Sequence, residues 1–147
     1  MNLTVSVAGT DALSLKVKRL IAAAREGLKF GVSEAAFIIE TEAKSLVPVQ
    51  TGNLRESIHT VQLVDEPEKQ VMGVTPGYPA GNRYGFDPAY ARRIEFGFIG
   101  PDSMGRTFHQ PAQSYMRAAH DTKKEEAREA IKSGVLDTLQ GARAGAV

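Results

Sequence analysis

The chain has 147 residues, a length that suits one domain able to bury its own hydrophobic core. Its 18 basic and 17 acidic side chains give a net charge of +1, so composition alone provides no attraction toward nucleic acid or a membrane surface. The absence of cysteine excludes disulfides and thiolate chemistry, and no apolar run approaches the ~18 residues of a membrane span.

The first half of the chain predicts a strand, a long helix and a sharp turn. Residues 2–7 alternate apolar and polar side chains, which is typical of a strand with one buried face. From Asp11 to Leu46, apolar residues recur at three- and four-residue steps and predict a helix. Gly31 predicts a kink or a junction between two helices, because glycine costs about 1 kcal/mol inside a helix. Pro48 ends the helix, and Gly52 permits a tight turn.

A β-hairpin and a long loop follow. Residues 57–64 and 70–75 are rich in β-branched side chains, and the charged segment "DEPEK" between them supplies a turn. Residues 76–88 contain three prolines and three glycines, too many for a core element. Long loops of this kind are usually functional or become ordered against a partner.

The last third predicts a short element, a second loop and a helix. Residues 89–97 favour a short helix or strand that stops at Gly97, and residues 98–110 are interpreted as a loop. Pro111 suits the first position of a helix that continues to about Leu139. Residues 1–140 are therefore expected to form one domain, followed by a flexible tail at residues 141–147.

Helices and strands are segregated along the chain rather than alternating. This order predicts an α+β fold, in which a small antiparallel β-sheet is packed by the long N-terminal helix and by the C-terminal helix. The first residues lack the basic start and apolar run of a signal peptide, so synthesis in the cytoplasm is expected.

Charge is distributed unevenly. Residues 1–30 carry a balance of +3, and residues 31–75 carry a balance of −4. These segments are either ordinary solvated faces or basic and acidic surfaces that meet between identical subunits.

No catalytic group, metal site or cofactor site is predicted. His59, His109 and His120 do not have the spacing of a metal-binding motif, and no serine lies in a nucleophile-elbow frame. The glycines of residues 73–85 match neither a P-loop nor a dinucleotide-binding motif. A small enzyme of unrecognised type would need a pocket with perturbed titratable groups, which these scattered histidines do not indicate.

Arginines and aromatic residues are concentrated in the middle of the chain. Arg92 and Arg93 are adjacent, and Arg83 and Arg106 lie in the flanking loops. The aromatic residues are Tyr78, Tyr84, Phe86, Tyr90 and Phe96. These residue types occur at protein–protein interfaces and also bind single-stranded nucleic acid. Asp87, Glu95 and Asp102 nearly cancel the local charge, which favours an interface or plain packing over nucleic acid.

Three motifs give the chain a family resemblance. The first is a helix that ends in a Pro-x-x-Thr-Gly-Asn-Leu-Arg run, and it comprises Ala43, Lys44, Leu46, Val47, Pro48, Val49, Thr51, Gly52, Asn53, Leu54, Arg55, Ser57 and Ile58. The second comprises Tyr90, Ala91, Ile94, Glu95, Phe96 and Gly97, and the third comprises Arg106, Phe108, Pro111 and Ala112. The chain resembles the tail-component proteins of long-tailed bacteriophages, also called neck or tail-completion proteins, over about residues 20–120. Gln50 and Phe98 depart from the usual pattern of that family.

The resemblance implies a virion structural protein without catalytic activity. Such a protein is made in the host cytoplasm, sits at the top of the tail, and makes the tail competent to join a DNA-filled head. The expected partners are the tail tube or terminator, the head–tail connector and copies of the chain in a six-fold ring, with contact to passing DNA and none to a membrane. A tail terminator or head-closure connector is the alternative within this group, and a nucleic-acid-binding protein is the alternative from another class.

Two sets of residues are candidates for function. The predicted subunit or partner interface comprises Tyr84, Phe86, Arg92, Arg93, Glu95, Phe96, Arg106 and Phe108. The predicted structural joint between helix and hairpin comprises Pro48, Thr51, Gly52, Leu54 and Arg55, with Asn53 or Arg55 tying the turn by hydrogen bonds. The joint is interpreted as either a tight turn alone or a direct partner contact.

Overall fold

A long helix forms the spine of the protein. The computed structural model describes residues 9–49, 52–77, 88–101 and 104–144. Helix α1, Thr10–Leu46, is one unbroken helix of 37 residues, so the predicted junction between two helices at Gly31 is wrong, and the alternative, a kink, stays a prediction. Leu46 ends the helix two residues before Pro48, as the sequence predicts, and the predicted strand at residues 2–7 lies outside the described residues.

Glycine is needed in α1 because a second long helix touches its backbone. A Cβ atom at Gly31 would lie 2.7 Å from the Cα of Ile131, and one at Gly27 would lie 2.5 Å from the carbonyl oxygen of Gly134. Residue numbers rise along one helix as they fall along the other, so the two helices are antiparallel. The cost of glycine in a helix is offset here by the close backbone contact that it permits.

The second long helix, which closes the fold, is Tyr115–Ala144. It begins four residues later than predicted, and Pro111 lies before it. It also continues through the predicted domain boundary at residue 140, and the division into a domain and a tail stays a prediction.

The predicted hairpin is confirmed. Strand β1, His59–Glu66, pairs antiparallel with strand β2, Lys69–Thr75, and the turn falls at residues 67–68. Two ion pairs fasten the tip of the hairpin to α1: Lys29 contacts Asp65 at 2.8 Å, and Arg25 contacts Glu68 at 3.7 Å. Charges of the basic and acidic segments therefore pair within one subunit at this place.

A second, smaller hairpin follows a short helix. Helix α3 is Pro88–Phe96, and it is separated from α1 by a one-turn helix, α2, at Asn53–Ser57 and by the first hairpin. Strands β3, Phe98–Pro101, and β4, Thr107–Gln110, pair antiparallel, so the loop predicted at residues 98–110 is wrong. The last helix, Tyr115–Ala144, is hereafter α4. The fold is α+β as predicted, with two two-stranded sheets in the described residues rather than one.

The core is small and lies where α1, α2, α3 and α4 meet. Ile58 is its largest fully buried apolar side chain. The cluster comprises Ala43, Val47, Leu54, Ile58, Ala91, Ile94, Tyr115 and Ala119.

Candidate partner interface

The joint after α1 has a defined geometry. Gly52 has a φ of 83°, in the left-handed region that favours glycine, and α2 begins at the next residue. The Ser57 hydroxyl donates to the carbonyl of Leu54 at 2.7 Å and accepts from the amide of Gly77 at 3.2 Å. Within the described residues, the side chains of Asn53 and Arg55 make no hydrogen bond in this turn, so Ser57 has the tying role expected of them.

Ser57 belongs to the first motif but not to the predicted joint, because a serine at the end of a short helix carries no pattern that indicates a tying role. It is fully buried, as is the adjacent Ile58, and this burial is a tertiary effect. Leu54 is buried while Arg55 is exposed, and Thr51 lies outside the described residues. The joint therefore contributes mainly to the core, which favours the interpretation as a structural turn.

The first two motifs meet in the core. Leu54 and Ile58 of the first motif belong to the same buried cluster as Ala91 and Ile94 of α3. Tyr115 and Ala119 of α4 complete the cluster, together with Ala43 and Val47 at the end of α1. Two segments more than thirty residues apart in sequence are therefore parts of one packing unit.

Glu95 joins α3 to α4. Its carboxylate accepts hydrogen bonds from the backbone amides of Met116, at 2.9 Å, and Arg117, at 3.2 Å. Those amides belong to the first turn of α4, where no intrahelical acceptor is available, and a negative charge there is also favoured by the helix dipole. The residue is only 7% exposed. Glu95 therefore has an internal capping role within one subunit, and its place at a subunit contact stays a prediction.

Further hydrogen bonds hold the connection between α3 and α4. The Gln113 amide donates to the carbonyl of Ile94 at 2.7 Å, and the Ser114 hydroxyl donates to the carbonyl of Glu95 at 3.0 Å. Gly97 has a φ of 78°, and a Cβ atom there would lie 3.0 Å from the backbone of Gln110 and of Ala112. The base of the β3–β4 hairpin is therefore held tightly between α3 and α4.

The hairpin itself carries exposed apolar side chains on both faces. Ile99 is 70% exposed and lies opposite His109, whereas Phe108 is 50% exposed and lies opposite Gly100. Adjacent positions along a strand point to opposite faces, so these two side chains are not on the same face. Phe96 and Met104 are also exposed. We call Phe96, Ile99, Met104 and Phe108 the hairpin patch.

Three arginines of the predicted interface lie in the described residues. The Arg93 guanidinium lies 4.5 Å from the centre of the Phe98 ring, an arrangement that orders both side chains. Arg92 is exposed, and Arg106 is exposed immediately before β4. Of the remaining predicted interface residues, Tyr84 and Phe86 lie outside the described residues.

Comparison with known protein families shows which family this chain is related to. Residues 11–97, more than half of the chain, match the family described as "Bacteriophage HK97-gp10, putative tail-component". The chain belongs to this family. No curated protein and no solved structure matches the chain. The family is one of structural bacteriophage tail components, which places this protein in the virion.

The range that matches the family coincides with particular elements of the fold. It begins one residue after the start of α1 and ends at Gly97, one residue after α3. It therefore includes the joint and the Glu95 motif, which contribute to one core. The third motif, from Arg106 to Ala112, lies beyond the matched range and stays a resemblance.

Titratable groups with shifted pKa values have structural explanations. Burial raises the pKa of Tyr115 to about 12, and the nearby Glu95 charge adds to the shift. Burial also acts to raise the pKa of Glu40, but hydrogen bonds from Lys44 and Thr60 outweigh it and leave the pKa below its ordinary value. Tyr115 packs in the core where the helices meet, and Glu40 joins α1 to β1.

The ranges that the structure describes contain no metal-type cluster of three or more histidine, aspartate or glutamate side chains. Within those ranges, no helix is long and apolar enough to cross a membrane.

Proposed function

We propose that this tail component acts at the neck, the top of the tail, where it is needed for tail completion and head–tail joining. It would do so as a structural protein without catalytic activity, in a six-fold ring. The hairpin patch carries this proposal. Its apolar side chains are presented to solvent by a short hairpin whose base is fixed by the Glu95 cap, and exposed apolar groups on a rigid base are typical of binding surfaces.

The ring would be closed by head-to-tail contacts, in which a surface of one copy binds a different surface on the next copy, and such contacts close into rings when the rotation permits. The hairpin patch is the proposed surface for the neighbours of the ring. Connector proteins and the tail tube or terminator are the proposed neighbours of the ring.

The test uses a phage deleted for this gene and complemented with variants. Ile99→Asp places a charge in the hairpin patch, and Leu136→Asp makes the same change at an exposed leucine of α4. We expect Ile99→Asp to leave tails and DNA-filled heads that do not join, as seen by electron microscopy, while Leu136→Asp restores virions. Normal virion yield with Ile99→Asp, or tails of abnormal length in the deletion, would contradict the proposed role.

A further inference from the structure

The pair α1–α4 has two unlike flanks. On one flank, an open apolar groove of about 420 Å³ lies between α1, α4 and β2. Its larger apolar lining residues are Val32, Ile39, Met72, Val74, Met116 and Ile131. We call this the groove. Because it is open and apolar, it leaves hydrophobic surface in contact with water.

The other flank of α1 carries an aromatic ridge, Phe30 and Phe37. These side chains are 65% and 60% exposed, and they stand seven residues apart, so they share one face of the helix. Phe30 precedes Val32 of the groove by two positions, and Phe37 precedes Ile39 by two positions. Two positions correspond to about 200° around a helix, so the ridge and the groove point in nearly opposite directions.

The ridge and the groove also have the same length. Val32 and Ile39 are seven residues apart, as are Phe30 and Phe37, and seven residues of helix span about 10 Å. Two aromatic side chains at this separation can therefore enter the groove of another copy at both of its ends.

Charge on the two flanks is complementary. A surface depression lies beside Phe37. Its acidic residues are Glu34, Glu42 and Glu126, and Lys123 is its one basic residue. Lys123 already pairs with Glu126 at 2.7 Å. The ionisable side chains of the groove are instead His120, Lys124 and Arg128, of which Arg128 already pairs with Glu125 at 2.6 Å and His120 contacts Asp121 at 3.2 Å. Glu34 and Lys124 form no ion pair with any described residue.

We propose that the ridge of one copy binds in the groove of a second copy, with Glu34 of the first beside Lys124 of the second. The contact is head-to-tail, so every copy in the assembly uses both flanks. Opposite charges set the orientation, and burial of the two phenylalanines supplies the attraction. This inference deepens the ring assembly proposed above and leaves the hairpin patch free for other virion proteins.

Cysteine cross-linking tests the contact directly, because the natural chain has no cysteine. Glu34→Cys and Lys124→Cys are both at exposed positions and are expected to fold. On oxidation, an equal mixture of the two purified single variants should give disulfide-linked dimers, while each variant alone should not. The double variant should give a ladder of cross-linked species that ends at the ring size.

A second measurement uses Phe37→Asp with Leu136→Asp as the matched control. By sedimentation of the purified full chain, Phe37→Asp should weaken self-association roughly tenfold or more, as for loss of an interface anchor, and the control should not. Cross-links within single-variant samples, no cross-links in the mixture, or unchanged association of Phe37→Asp would overturn the proposal. If the protein forms the cross-linked ladder but is not needed for head–tail joining, the proposed neck role is wrong and the contact between ridge and groove stands.

Discussion

Glu95 Oε2 accepts a hydrogen bond from the backbone amide of Met116 at 2.9 Å, and this bond joins the end of one helix to the start of another. A side chain from a distant part of the sequence thereby supplies the cap that a helix usually takes from its own first residues. The position of the β3–β4 hairpin depends on that link, because the hairpin connects the two helices.

Replacement of Glu95 by alanine should lower the free energy of unfolding by about 1–3 kcal/mol, because two amides of α4 lose a charged acceptor in a buried place. Urea unfolding followed by circular dichroism measures the change. Glu26→Ala, at an exposed position of α1, should change it by about 0.5 kcal/mol or less. Equal effects of the two substitutions would show that the cap contributes nothing.

Gly31→Ala should destabilise the protein by about 1–3 kcal/mol, although alanine is the better helix former. The new methyl group would lie 2.7 Å from the Cα of Ile131, so the two helices would have to separate. Gly141→Ala is the matched control, because nothing lies within 4 Å of its Cβ position. Thermal unfolding should show a lower midpoint for Gly31→Ala only, and a higher midpoint there would contradict the close contact.

Acid should weaken the link between α1 and β1. The Glu40 carboxylate accepts hydrogen bonds from Lys44 at 2.6 Å and from Thr60 at 2.5 Å, and its pKa in the folded protein lies below the ordinary 4.5. The unfolded state therefore binds the proton more readily, and the stabilisation is present above about pH 4.5 and is lost as pH falls through the folded pKa. The stability difference between the wild type and Glu40→Gln should shrink as pH falls from 6 to 3. A constant difference across that range would contradict the linkage.

Alkali should act through Tyr115. Its pKa is 10.0 when unperturbed and about 12 in the folded protein, so the unfolded state loses the proton first and stability falls as pH rises from about 10 to 12. Over that range the wild type should lose about 2 kcal/mol that Tyr115→Phe does not lose. Near pH 7 the substitution should cost little, because the buried hydroxyl has no hydrogen-bond partner in the described structure. Tyr90→Phe, at an exposed position, should retain the alkaline loss in urea titrations, and the same loss in Tyr115→Phe would be the contrary result.

Much of the fold follows from local patterns in the sequence. The apolar periodicity of residues 11–46 and the helix-ending effect of Pro48 give α1 nearly as observed, since both depend on neighbouring residues. The first hairpin is likewise indicated by its β-branched strands and charged turn. Gly31, however, resembles a helix breaker until the backbone near Ile131, one hundred positions later, is known to touch it.

The candidate site was less predictable for the same reason. Glu95 caps a helix that starts twenty positions further along, and no spacing rule connects the two. Gly100, Pro101 and Gly105 are strong turn signals, so the sequence pattern predicts a loop where the β3–β4 hairpin lies. The pairing of its two strands depends instead on the tight turn at Gly97. The exposure of Ile99 and Phe108 depends on the position of the hairpin, which no local pattern specifies.

The direct contact of α1 and α4 at Gly27, Gly31 and Gly134 has a mechanical consequence. Closely packed protein interiors have low compressibility, and at these glycines the two helix backbones touch directly. At 1.5 Å per residue, the 37 residues of α1 extend about 55 Å, braced along much of that length by α4. The α1–α4 pair is therefore expected to resist bending when a force acts on the end of α1 that carries the joint.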